Sequence, residues 1–393
     1  MAVDAAPDPG AGGPRVANSG VANSGVADRG VVDWALAERV AGWALARRPP
    51  PADYRPVALA EEFEALTARA EQLVAAATGL RPSSAARAVV VDRPAWVRAN
   101  VASIQRILGP TLHKLETRRR SGPFGTLPPA VAAPLAGVGR SMNGAQLGLL
   151  LAWMSTRVLG QYDLLVTDEL AEEQDLVYYV GPNVVGLESR YGFPPAEFRL
   201  WLALHEVTHR AQFTAVPWLR DHFVSLVDQG LEPFGTDPHH LTEALRRAAE
   251  EVRSGRSPLR DGGVMGLVAT PEQLDALHRI QALMSLLEGH GDVTMDRAGA
   301  AAVPGAERFS RVLRERREQV RGPAKLLQQV LGLEAKLRQY AEGEEFVNAV
   351  ERAGGADLFN RVWRGPEWLP SLAEIRDPGQ WVTRVGAAPA PAG

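Results

Sequence analysis

The chain has 393 residues, 46% of them hydrophobic and 23% charged, and a formal net charge of -3. That composition fits a soluble globular protein of one large domain or two fused ones, and it lacks the basic footprint of a nucleic-acid binder. Cysteine is absent, which excludes disulfides and thiolate zinc sites and leaves His, Asp and Glu to hold any metal.

Residues 1–30 duplicate VANSG and are rich in Gly, Pro and Ala, with no basic segment leading into an apolar one. The expectation is a disordered tail and not a signal peptide. Helical spacing begins at Val32, Leu36, Val40 and Trp43 and stops at Pro49–Pro51. A second helix ends at Gly79, and a third runs around Trp96. Pro110 and the loop SGPFGTLPP predict a break before a helix near 144–158. Its apolar window, Ala145 to Thr156, is closed by Arg157 and is about half of the roughly 20 residues a membrane span needs. A buried helix, no membrane span and a cytoplasmic location are therefore expected.

Between 162 and 188 the pattern shifts to short strands, YDLLVTD and DLVYYVGPNVV, with a turn at Gly181-Pro182. Helices return at 195–212, 215–229, 239–253, 271–296, 306–320 and 334–353. The fold class expected is mainly α (α+β), with a small sheet beside the helix at 195–212. A helical part over 31–160 and a second part over 161–376 precede a flexible tail at 377–393.

The helix at 195–212 carries the chemistry. Pro194 and Pro195 suit its start, and its apolar run LWLAL leads into His205, Glu206 and His209. Residues four apart share a helix face, so both imidazoles can reach one metal. Glu206 is rotated roughly 100° from His205, which makes it a poor third ligand but places it to take a proton from metal-bound water. Neutral imidazoles bind Zn²⁺, the metal acidifies its water, and a carboxylate relays the proton to a leaving amine. A random His-Glu-x-x-His is expected only about 0.01 times in a chain with 8 His.

Such a site needs a third protein ligand and an open position. A further histidine six residues after His209 is excluded, because Ala215 stands there. The segment ALMSLLEGHGDVTMD supplies Glu288, with Asp292 one turn on, placed to accept the Nδ1–H of a ligating histidine. His290 is the rival ligand, but it lies about 200° around the helix from Glu288. Asp296 reads as part of a solvated face.

LALHEVTHRAQF, followed by LLEGHGDVTMD and preceded by YYVGPNVVGLE, resembles the actinobacterial zincin-like metallopeptidases (the Zincin_2, or DUF2342, group). Some of that group are linked only with coenzyme F420 biosynthesis. The resemblance spans roughly residues 33–370. It implies a mainly helical zincin-like fold, zinc as cofactor, His205 and His209 as ligands and Glu206 as the catalytic carboxylate. Glu288 and Asp292 also resemble the Glu-x-x-x-Asp spacing of gluzincins. The two motifs stand further apart than in the thermolysin type, which implies a segment of about 210–280 that loops out.

On the substrate side, DLVYYVGPNV is the candidate strand for pairing with an extended peptide. Tyr178 or Tyr179 is the candidate oxyanion donor, and at most one of them can face the site. Arg210 suits a charge partner at the helix end. His222 and the pair His239-His240 are more readily surface residues than a second metal site. GPNVVG lacks the spacing of a dinucleotide loop. The reading is a zinc-dependent hydrolase, most plausibly a peptidase acting on a peptide or protein. The alternative is a non-catalytic zincin-like binding protein, and Glu206 separates the two, since only a hydrolase needs it.

Overall fold

The computed structural model describes residues 31–121, 129–163, 175–231, 270–318 and 333–386. Helix α1 (Trp34–Leu45) starts where the Asp33 side chain accepts from the Leu36 N–H, one of the donors a helix start leaves unpaired. Helix α2 (Pro56–Thr78) begins at a proline and ends at Gly79, whose φ of 75° closes the helix in the left-handed region. The chain continues through β1 (Arg87–Val91), α3 (Arg93–Ser121), α4 (Pro129–Ser155), β2 (Gly160–Tyr162) and β3 (Leu176–Val180). Helices α5 (Gly181–Tyr191), α6 (Pro195–Ala215) and α7 (Leu219–Leu231) follow, then α8 (Pro271–Gly299), α9 (Ala306–Glu318) and α10 (Leu333–Phe359). The described chain closes with two short helices, α11 (Leu372–Arg376) and α12 (Pro378–Gly386). None of the described helices is long and apolar enough to cross a membrane.

Three strands form one sheet in the order β1-β3-β2, with β1 parallel and β2 antiparallel to the central β3. The mainly helical fold with a small sheet beside α6 is the one expected. Helix α6 packs between α2 and α8. Leu59, Phe63, Val177, Tyr179, Phe198, Leu204, Val207, Met295 and Phe309 form the core around it. A second core joins α8, α10 and α12 through Leu286, Phe346, Val350 and Trp381.

Two contacts fix helix α8, one at its start and one along its length. Thr270 and Gln273 form a reciprocal capping box at its start, which satisfies two otherwise orphan donors. Further along, Gly289 meets Gly343 of α10 so closely that a Cβ on either would overlap backbone atoms of the partner helix. This contact sets the height and rotation of the helix turn that carries Glu288.

Several local expectations are corrected. Pro110 lies inside α3, and α4 starts at Pro129 rather than near 144; proline marks a boundary only where no packing holds the flanking turns. Strand β1, RAVVV, is an addition to the expected strands; its five residues are too few to show a period. Gly181-Pro182 opens α5 instead of making a turn, consistent with the preference for proline in a first helical turn. Residues 378–386, expected in the flexible tail, form α12, because Trp381 and Val385 are buried against α8 and α10. Within the segment expected to loop out, α7 packs on α8. The helix expected at 239–253 lies outside the described residues.

Candidate metal centre

Helix α6 holds His205 and His209 one turn apart, with ring centroids 4.6 Å from each other and ring planes perpendicular. Helix α8 crosses α6 and brings Glu288 to the same place, His209 Nε2 lying 3.7 Å from Glu288 Oε2. One ligand atom from each of His205, His209 and Glu288 lies within 4.8 Å of the others, and all three side chains are half-buried. Tetrahedral zinc at about 2.1 Å from its donors would separate them by about 3.4 Å, so small side-chain adjustments close this set around one ion. Two imidazoles and a carboxylate are also a donor set that suits zinc.

The outer nitrogens of both imidazoles are engaged. His205 Nδ1 lies 3.2 Å from Met295 Sδ, and His209 Nδ1 lies 3.0 Å from Gln212 Oε1. Each ring can therefore offer Nε2 to the shared centre. Asp292 is half-buried on α8, one turn beyond Glu288.

Glu206 points from α6 toward β2 and is only 6% exposed. Burial raises its carboxyl to about 7; the His209 charge opposes the rise, Glu288 adds to it, and the Tyr162 backbone N–H donates and lowers it. Gly160 leaves the room for this, since a Cβ there would lie 2.6 Å from Glu206 Oε1. Burial alone would lower the His209 imidazole, but the hydrogen bond and charge of Glu288, the Glu206 charge and Gln212 together raise it to about 9. A bound dication would displace that proton.

His290, the rival ligand, stands outside this group. It is buried, stacked on Phe359 at 5.4 Å and edge-on to Trp363 at 5.2 Å, with Nδ1 2.9 Å from Gln212 Nε2. Burial, then the charges of His209 and Arg297, lower its pKa to about 3. It is a neutral hydrogen-bond partner behind the centre.

Neither expected oxyanion tyrosine faces the centre. Gly160 pairs with Tyr179 across the ladder, and cross-strand partners share a sheet face. Glu206 lies against Gly160, so Tyr179 is on the α6 side. Its hydroxyl, however, bonds Thr67 Oγ1 at 2.8 Å, and its ring stacks on Phe63. Tyr178 points to the opposite side. The expected docking strand is corrected as well: β3 is paired on both edges, whereas β2 has one edge left unpaired among the described residues. Tyr162 of β2, stacked on Phe213 of α6 at 6.3 Å, is the tyrosine on the centre's side that sequence reasoning missed.

Arg210 is fully buried and is not a helix-end charge partner. Its guanidinium bonds Asp175 at 2.5 Å, Glu71 at 2.7 Å and the Ser84 carbonyl at 2.6 Å. It clamps α6 to α2 and to the start of β3. His222 packs edge-on to Trp218 at 5.8 Å and joins no metal-type cluster among the described residues. His239 and His240 lie outside the described residues.

A mainly helical body in which crossed helices converge two histidines and a glutamate, with a further buried glutamate beside them, defines a protein of the zincin class. The chain belongs to the Zincin_2 family of zincin-like metallopeptidases, whose model matches residues 32–382. It is also similar to a solved structure of a candidate hydrolase with a novel fold from Chloroflexus aurantiacus. The two share 31% identity and a TM-score of 0.66, over 91% of this chain and 100% of that one. No protein with a curated description matches the chain.

Proposed function

We propose that this protein is a zinc-dependent hydrolase of peptide bonds, with His205, His209 and Glu288 as metal ligands in the gluzincin manner and Glu206 as general base. The observation that carries the reading is the convergence of those three ligand atoms within 4.8 Å, with Glu206 buried on the same helix as the two histidines. Family membership and the hydrolase-like relative support it. When bound, zinc supplies a Lewis acid that acidifies water and polarises a carbonyl.

The chain's own residues supply the rest. Glu206 is buried beside the proposed ligands, where a carboxylate can accept a proton from metal-bound water and return it, as a base that turns acid must. The Tyr162 N–H holds that carboxylate in place. Bonds from Val180 N–H to the Leu159 carbonyl and from Asp163 N–H to the Leu176 carbonyl direct alternate groups of β2 toward β3. The intervening groups therefore face the outer edge; the Tyr162 N–H is taken by Glu206, and the Gly160 groups and the Tyr162 carbonyl are the ones to which an extended peptide can add as a strand.

A peptide-library digest tests the reading. Zinc-loaded wild type should cleave, and Glu206→Gln should lose about 10²-fold to 10⁴-fold in rate while keeping its metal. A wild type that binds zinc but cleaves no peptide, or a Glu206→Gln variant with full activity, overturns the peptidase reading and leaves a zincin-like binding protein.

A further inference from the structure

We infer that Gln212 is a positioning residue that sets which nitrogen of His209 is offered to the metal; the inference rests on the reading of His205, His209 and Glu288 as ligands. Gln212 lies three residues after His209 on α6 and is fully buried. An amide side chain has a donor end and an acceptor end that are hard to tell apart by shape, so neighbours must identify them. Here the Leu287 carbonyl does so. It can only accept, and it lies 2.9 Å from one end of the Gln212 amide, which must therefore be the nitrogen.

The other end is then the oxygen, 3.0 Å from His209 Nδ1. An oxygen there can only accept, so His209 Nδ1 must carry a proton. In the neutral ring this leaves the lone pair on Nε2, the atom that faces Glu288. The second N–H of Gln212 is directed at His290 Nδ1, 2.9 Å away. His290 thus completes the amide's bonding, which gives that buried histidine a purpose without making it a ligand.

The identifying carbonyl belongs to the residue immediately before Glu288. One amide therefore ties the tautomer of a ligand on α6 to the helix turn on α8 that presents the third ligand. A packing role alone would be met by any side chain of this shape. The structure instead uses the full polarity of the amide in a place with no exposure.

Zinc affinity by chelator competition, together with ¹⁵N-histidine NMR of the zinc-loaded wild type, tests this. Gln212→Met keeps the shape and removes the acceptor, and should weaken zinc binding by about 10-fold to 100-fold, as loss of an outer partner of a ligand does. Gln212→Glu keeps an acceptor for His209 Nδ1 and, when protonated, a donor for the Leu287 carbonyl, and should recover most of that affinity. In wild type the metal-shifted nitrogen of His209 should be Nε2, with a proton on Nδ1. Equal affinity in all three proteins, equal loss in both variants, or a metal-shifted Nδ1 in wild type overturns the inference. A wild type that binds no zinc instead overturns the metal-site reading on which it rests. The NMR assignment needs no variant, so the inference stays testable if Gln212→Met does not fold.

Discussion

Helix α6 carries two charged regions separated by a single residue step, and they are built on opposite terms. At Arg210 a buried cation meets Asp175, Glu71 and the Ser84 carbonyl, so its burial is matched by strong charge-assisted bonds. At His209 and Glu206 the charges are mismatched without a metal. A buried carboxyl is raised to about 7 and an imidazole to about 9. The first region holds its cation against fixed partners. The second holds protons that a bound metal would have to move.

The largest expected effect comes from breaking the matched region. Arg210→Met leaves two carboxylates facing an apolar side chain and should cost about 3–5 kcal/mol of unfolding free energy, measured by urea titration. Glu288→Gln, at the mismatched region, takes a charge partner from His209 but relieves Glu206, so the metal-free protein should lose less than it does in Arg210→Met. Comparable losses in the two variants would erase the contrast.

Next in size is Gly160→Ala. The new Cβ would press on Glu206 from 2.6 Å, and a displacement near 1 Å of a reacting group lowers rate by about 10²-fold. Peptide turnover should fall while zinc content stays unchanged. Unchanged turnover would mean that Glu206 does not work from the position observed.

The pH dependence of the metal-free protein sharpens the comparison further. Between the ordinary carboxyl value of 4.5 and about 7, folded Glu206 holds a proton that the unfolded chain lacks, so stability falls as pH rises across that window. His209 is raised from 6.5 to about 9, and the stability it adds below 6.5 is lost as pH rises through 9. Both act in one direction, but His290, lowered to about 3, adds stability as pH rises to 6.5 and opposes Glu206 there; metal-free stability should therefore decline from about pH 7 to pH 9, where His209 dominates. Glu206→Gln should remove the opposing fall below about pH 7 and leave the His290 rise. Thermal unfolding across pH measures both, and a flat or rising profile from about pH 7 to pH 9 would contradict the assigned environments. The smallest expected effect belongs to His222→Gln, which should change stability by less than about 0.5 kcal/mol and leave zinc stoichiometry as it is.

What the sequence made legible was local. The pair His205 and His209 and the neighbouring Glu206 can be placed from helix geometry alone, because α6 opens at paired prolines and is apolar up to the motif. Glu288 stood out for a similar reason, on a long helix with a recognisable start at Thr270. The rest depends on chain segments distant in sequence. Nothing near Gln212 announces that its amide meets Leu287 and His290, 75 and 78 residues on. Arg210 meets Glu71 across 139 residues, so its local surroundings suggested a helix-end charge. The tyrosines were misjudged because facing direction follows from register, and the three-residue strand β2 that sets the register leaves no periodic trace. Trp381 in α12 resembled part of a tail because its partners Phe346 and Leu286 come from other helices.

Glu288 is the one proposed ligand that tertiary structure must deliver. Zinc bound per chain should therefore be measured for wild type and Glu288→Ala at matched free zinc. About one zinc in wild type, lost in Glu288→Ala with the fold intact, is the predicted result. A wild type that takes up no zinc, or a Glu288→Ala protein that binds it as tightly as wild type, would contradict it.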